Sequence, residues 1–174
     1  MSSMIQLKPE AAPDAPSIVL QRPQDAAPGD ALIDRAFGPG RFTKASERVR
    51  EFADFAPELS FCAWRGERLV GVVRQWRVRV GDTEAVFLGP IAVEADERSG
   101  GVGGLLVEQA VAAARTAGEP AVVLVGDAPY FGRFGFSAAL GKAVRLPGPV
   151  DQRRVLAIAF APPGEALSGP IRAL

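Results

Sequence analysis

The chain has 174 residues, 48% of them hydrophobic and 23% charged, and its 20 basic and 20 acidic side chains cancel to a formal net charge of +0. That length supports one domain with a substantial core, and balanced charge argues against a dedicated nucleic-acid binder, which needs a basic excess. The sequence holds no histidine and a single cysteine, Cys62, which excludes Ser-His-Asp and Cys-His catalysis, imidazole-bearing zinc sites and an intrachain disulfide.

Met1 to Pro16 is rich in Ala and Pro and reads as an extended arm ahead of one domain spanning residues 17–174. The arm lacks the apolar run of a signal peptide, and no apolar stretch reaches membrane-spanning length. With its lone cysteine, the protein is expected in the reducing cytoplasm, with neither membrane nor nucleic acid as a partner. Ser17 to Arg22 reads as a first strand. Helical spacing of Leu32, Ile33, Ala36 and Phe37 predicts a helix over Asp30 to Phe37, ended by Gly38-Pro39-Gly40. A second helix is expected over Thr43 to Ala53, with Thr43 as its N-cap.

The period then changes to two. Leu59 to Trp64, Leu69 to Val80 and Thr83 to Val93 read as three antiparallel strands joined by tight turns at Arg65-Gly66 and Gly81-Asp82. Pro90 falls inside the third run and cannot donate to a ladder, which predicts a bulge there. Val102 to Ala117 is expected to be a helix, with Val102, Leu105, Leu106, Ala110, Ala113, Ala114 and Ala117 toward the core. Ala121 to Val125 reads as a strand covered on both faces, Pro129 to Phe134 as a short helix, and Phe136 to Leu146 and Arg154 to Phe160 as two final strands before an irregular tail. The expected fold is mixed α/β (α+β): a single domain with a mostly antiparallel sheet of about six to seven strands flanked by about four helices.

Between the third extended run and the long helix lies Arg98-Ser99-Gly100-Gly101-Val102-Gly103-Gly104. Glycines admit positive φ and close ligand approach, and the free N–H groups of a helix N-terminus favour a diphosphate, with Arg98 able to add a charge-assisted bond. The spacing is neither a Walker loop nor Gly-x-Gly-x-x-Gly. The same glycines also read as a flexible helix start with no ligand.

Arg98-x-x-Gly101-x-Gly103, the preceding Ile91-Ala92-Val93 and the later Tyr130-Phe131-Gly132-Arg133-Phe134-Gly135-Phe136 together resemble the GNAT superfamily of acyl-CoA-dependent N-acetyltransferases. Phe87 to Phe136 is especially similar to small bacterial predicted N-acetyltransferases. The resemblance implies that residues 98–104 bind the CoA diphosphate. It also implies that pantetheine lies along Ile91, Ala92 and Val93, where a bulge at Pro90 opens the sheet, with Tyr130, Phe131 and Arg133 nearby. Backbone N–H groups near Ile91 and Ala92 are then suited to polarise the thioester carbonyl. An acceptor amine, small or on a protein, attacks directly, with acetyl-CoA as co-substrate and no metal.

Two positions depart from the family pattern. Phe131 stands where many members carry a tyrosine acid, and Phe87 where some carry a glutamate base. Glu84 sits too far toward the start of its strand, which leaves Asp127 as a candidate base and also a favoured helix cap. Tyr130 is the adjacent candidate acid and equally a packing or CoA-contacting residue. Arg41 and Asp151, on Pro/Gly-rich loops, are candidate substrate contacts. Cys62 reads as an inert core thiol, and Trp64 and Trp76, among alternating arginines, as parts of a solvated sheet face. A non-catalytic acyl-CoA-binding or regulatory domain is the competing reading, and the sequence leaves a homodimer open.

Overall fold

The computed structural model describes residues 15–40 and 44–174; the expected arm to Pro16 therefore lies almost wholly outside the described residues, as do Arg41 and Thr43. The chain begins with β1 (Ser17–Leu20), then a 3-10 turn at Pro23–Asp25 that leads into α1 (Ala26–Phe37). The helix starts four residues before the expected Asp30, because Pro28 lies in its first turn, where a missing N–H costs nothing. Next come α2 (Ala45–Phe52), β2 (Asp54–Phe55), β3 (Phe61–Arg65), β4 (Arg68–Val80) and β5 (Thr83–Val93). After them follow α3 (Val102–Thr116), β6 (Ala121–Val125), α4 (Ala128–Gly132), α5 (Ala138–Gly141), β7 (Val144–Arg145), β8 (Val155–Ala159) and β9 (Gly169–Arg172).

The nine strands have the central order β1-β3-β4-β5-β6-β8, with β2 and β9 also on β4, and β7 on β9. All pairings on the central path are antiparallel except β5–β6, which is parallel. Apolar side chains alternate across the sheet and fill two layers. On one face Val102, Leu106, Val107, Ala110 and Ala114 of α3 pack on Phe61, Ala63, Val73 and Leu88. On the other, Leu32 and Ile33 of α1 cover Cys62, Val72 and Ala92, while Val49 of α2 joins Val78, Phe87 and Val123. Gly71 lets α3 approach β4: a Cβ there would stand 2.8 Å from Leu106 Cδ1 and 3.0 Å from Val102 Cγ1.

Several expectations are corrected. Phe136 to Leu146 is not one strand. Ser137 Oγ accepts the Ala139 N–H at 3.1 Å and so starts α5, leaving Ser137 itself, bridged to Ala157, and the two residues of β7 extended. The tail is not irregular, since β9 pairs Arg172 with Arg79 and Ile171 with Val80. The buried face of α3 is also rotated: Val107 and Val111 point inward, whereas Leu105 is 42% exposed and Ala117 lies outward. Finally, the sheet has nine strands and the described residues form five α-helices, more than the six to seven and four expected.

Candidate active site

The segment between β5 and α3 is held from three sides. Arg35 of α1 pairs with Glu94 at 2.6 Å, Arg65 of β3 with Glu97 at 2.7 Å, and Arg68 of β4 forks onto Asp96 at 2.9 and 3.0 Å. The Arg68 guanidinium holds the Asp96 carboxyl below the usual carboxylate range. An exposed pair of this kind stabilises little alone, but three on different elements fix where the turn ends. Gly101 then takes φ +80°, and the first bond into the helix runs from the Leu105 N–H to the Gly101 carbonyl at 3.1 Å. The N–H groups of Val102, Gly103 and Gly104 precede that bond and have no carbonyl within the helix to bond. With the positive end of the dipole they form an anion site.

Gly101 supplies the left-handed cap, and Gly103 and Gly104 lie against the aromatic rings of Tyr130 and Phe134. A Cβ on Gly103 would stand 3.4 Å from Tyr130 Oη and 3.7 Å from Val93 Cγ2, and one on Gly104 would stand 3.5 Å from Phe134 Cζ. Tyr130 meets Phe131 and Phe134 edge to face, with centroids 4.9 and 5.5 Å apart, and the Arg133 guanidinium lies 5.3 Å from the Tyr130 ring. Val93, the first turn of α3 and the aromatic face of α4 are therefore one continuous surface. Arg98, exposed, donates Nε–H to the Val93 carbonyl at 3.3 Å, which places it at the end of β5 beside that surface.

The sheet opens next to it. β5 and β6 pair only at Val86–Val122 and Phe87–Val123 and diverge beyond. Their separation coincides with the bulge expected at Pro90: Val73 pairs with Ile91 and Gln75 with Leu88, so Gly89 and Pro90 together face Arg74. The Gly89–Pro90 peptide is cis, and the Gly89 carbonyl accepts the Trp76 indole N–H at 2.6 Å. The wedge continues into a cleft of about 520 Å³ floored by Leu88 to Ile91 and walled by Leu124 to Asp127 and Phe131. Its far side is closed by Phe37, the start of α2, and the segment from Pro149 to Arg154.

Candidate residues fall into two groups. Ile91, Asp127, Phe131 and Asp151 line the cleft. Arg98 to Gly101, Gly103, Gly104, Val93, Tyr130 and Arg133 lie around the α3 N-terminus, where Val102 turns its side chain into the core, and Ala92 turns into the core beneath α1. Tyr130 is thus directed at Gly103 and is not among the cleft-lining residues, which include Phe131 instead. Asp127 is the N-cap of α4, accepting the Tyr130 N–H at 3.3 Å, while its position still borders the cleft. Asp151 accepts two bonds from the Arg153 guanidinium, at 3.1 and 3.0 Å, and one from the Arg153 N–H; that partner keeps its carboxyl below the usual range. Glu84 lies at the opposite end of β5, 3.6 Å from Arg79.

Three cleft cations had no signal in the sequence. Lys44 precedes α2 and holds its ammonium 5.4 Å from the Phe37 ring centroid. Arg50 pairs with Glu47 and reaches within 3.3 Å of a Cβ built on Gly89. Arg154 donates Nε–H to the Gly126 carbonyl at 3.4 Å. No group of three or more ligating side chains with metal-site geometry is found among the described residues, and none of their helices is long and apolar enough to cross a membrane.

The family model described as Acetyltransferase (GNAT) family matches residues 30–136. Among solved structures, a GNAT family N-acetyltransferase (YhbS) from Escherichia coli in complex with CoA superposes with a TM-score of 0.76 at 26% identity, covering 95% of this chain and 92% of that one. A GNAT family acetyltransferase from Brucella melitensis in complex with acetyl-CoA gives 0.68 at 26% identity, covering 90% and 94%. Arabidopsis thaliana Naa50 with a bisubstrate analogue shares the fold at a TM-score of 0.57 and 15% identity, over 84% and 99% of the two chains. No curated protein sequence matches the chain.

Proposed function

This chain belongs to the GNAT acetyltransferase family, and on that premise we propose that it transfers an acetyl group from acetyl-CoA to a primary amine within a ternary complex. The observation that carries the reading is the junction of two features: a helix start with unbonded N–H groups and a sheet that splits open beside it at Pro90. The two relatives at 26% identity were solved with CoA and with acetyl-CoA, which supports the same ligand here.

Acetyl-CoA supplies the activated acyl group. In this reading the N–H groups of Gly101 to Gly104, with Arg98, Ser99 and Gly100, receive the diphosphate, and Tyr130, Phe131 and Arg133 flank the donor. Backbone groups of Ile91, Ala92 and Val93 take up the edge that β6 leaves open, and an N–H there polarises the thioester oxygen. Holding donor and amine together in the cleft supplies the rate advantage of proximity. The amine nitrogen bonds to the acyl carbon as the carbon–sulfur bond breaks. Asp127 or a water chain then takes the nitrogen's proton, and solvent protonates the departing sulfur, since Phe131 has no proton to give. Buried Cys62, whose pKa is pushed up to about 11 chiefly by burial, takes no part. A reduced thiol in the core agrees with a cytoplasmic setting.

A second reading rests on Phe131 in the cleft and on the absence of any carboxylate on β5 among its lining residues: a domain that binds acyl-CoA without turning it over. Calorimetry with CoA and a CoA-release assay over a panel of amines separate the two. The wild type is expected to bind CoA at low micromolar concentration or tighter and to release it with at least one amine. Gly101→Glu, which forces a side chain and a negative charge into the anion site, is expected to abolish binding. No CoA binding by the wild type overturns both readings, whereas tight binding without turnover leaves the second.

A further inference from the structure

We propose that the acceptor is a small amine bearing a carboxylate, held through that carboxylate by Lys44 and Arg154; this rests on the acetyltransferase reading above. None of residues 92–104 lines the cleft, so its positive charges lie apart from the turn assigned to the donor's diphosphate and are available to something else. Five charged side chains border the space: Lys44, Arg50, Arg154, Asp127 and Asp151. Both carboxylates have partners, Asp151 in the Arg153 fork and Asp127 in the cap of α4. Arg50 is paired with Glu47.

Lys44 and Arg154 differ from these three. Among the described residues neither lies within salt-bridge distance of a carboxylate. The contact of the Lys44 ammonium is the Phe37 ring, and that of Arg154 Nε is the Gly126 carbonyl. An Arg bonded through Nε alone retains its other N–H donors for an incoming carboxylate. Ala45 and Ser46 bring the start of α2 to the same wall, adding a positive dipole end to the two charges. Asp127, beside the Ile91 and Phe131 wedge, follows Gly126, whose carbonyl accepts from Arg154, so a carboxylate and a cation border the same part of the cleft while Lys44 borders it from the Phe37 side. A carboxylate for the ammonium beside cations for the carboxylate matches an amino-carboxylate, whose two groups lie close together, better than a simple alkylamine or a polyamine. A cleft of about 520 Å³ is within the size range of small-molecule sites.

The test compares matched amines on the full chain: glycine with methylamine, phenylalanine with phenethylamine, and each amino acid with its methyl ester. Acetyl-CoA is saturating for turnover, and CoA is saturating for calorimetry. The carboxylate member of each pair is expected to be favoured in kcat/KM by about 10-fold or more, the size of one charged hydrogen bond. Lys44→Gln and Arg154→Gln are each expected to shrink that ratio through KM. Thermal unfolding of both variants near the wild-type temperature shows that the loss is not one of folding. Equal rates within the pairs, or a preference for the uncharged members, overturn the proposal. So does acetylation of peptide amines with none of the free amino acids. If no amine turns over while CoA binds, calorimetry decides. Binding that needs the carboxylate and weakens in both variants keeps the carboxylate site at Lys44 and Arg154 and removes the acetyltransferase reading; no carboxylate-dependent binding overturns this proposal.

Discussion

Gly126 closes β6 at the point where the sheet opens, and a Cβ there would collide with the Phe131 ring. Gly126→Ala must therefore swing Phe131 across the cleft. The expected result is a fall in kcat/KM of about 10-fold, with CoA affinity less affected because Phe131 faces the cleft and not the α3 turn. Phe131→Tyr tests the proton economy at the same place: a hydroxyl there provides a donor for the leaving thiolate and is expected to raise kcat, up to about 10²-fold, with a new alkaline limb in the pH–rate profile. An unchanged kcat would mean that sulfur departure is not limiting. The donor half of the site was legible residue by residue because its chemistry is carried by backbone, and a backbone that must turn left-handed at Gly101 leaves a glycine in the sequence. That Gly103 and Gly104 lie against Tyr130 and Phe134 was not legible, since no local spacing records which segment will cross them. Lys44 and Arg154 were hidden for the same reason. They come from segments far apart, and each is an ordinary surface-type cation until the fold closes a wall behind it.

At the scale of elements, α3 carries the anion site, and two contacts with β4 set its height above the sheet. One is the bare Gly71 under Val102 and Leu106. The other is Gln75, fully buried, whose Nε2 donates to the Leu59 carbonyl at 2.6 Å and the Ala110 carbonyl at 2.9 Å. Gly71→Val is expected to push out the first turn of α3, lowering both the urea midpoint and CoA affinity. Gln75→Leu strands two buried carbonyls and is expected to cost about 1–3 kcal/mol by urea unfolding. The Gln75 Oε1 atom, itself without a hydrogen-bond partner, reduces that loss because its own desolvation is relieved. The hairpin β4–β5 and the helix α3 could be read directly, since alternation in one and apolar spacing in the other are strong and long. The phase of α3 could not: apolar and small residues run almost unbroken from Val102 to Ala114, so Leu105 and Val107 fitted the inner face equally well until the packing against β4 chose between them. β7 was expected within a longer run that α5 cuts short, and β9 escaped because Gly169 and Pro170 look like a loop.

For the molecule as a whole, acid sensitivity has identifiable origins. Asp25, Glu58, Asp96 and Asp151 all have pKa values lowered by neighbouring guanidinium groups: Arg22, Arg77, Arg68 and Arg153 respectively. Because the folded values lie below the unfolded ones, these pairs contribute their full stability above the ordinary carboxylate range and lose it as pH falls through the folded values. The unfolding temperature is expected to be flat from neutrality to about pH 5 and to drop below about pH 4. A midpoint that rises on acidification would contradict the sign. Cys62 gives a complementary probe: a thiol buried in the core, with its pKa pushed up to about 11, is expected to ignore a disulfide reagent at pH 8 until the chain unfolds. The parallel junction at Val86–Val122 and Phe87–Val123 is the narrowest join in the central sheet. It divides β1, β3, β4 and β5 from β6 and β8, so the two halves are a pair of jaws whose common rim is backbone from Ile91 to Val93 and from Leu124 to Val125. Amide hydrogens along that rim should exchange with solvent deuterium faster than those at Val86 and Val123, and CoA should slow them selectively, completing a ladder that the protein alone leaves two rungs long.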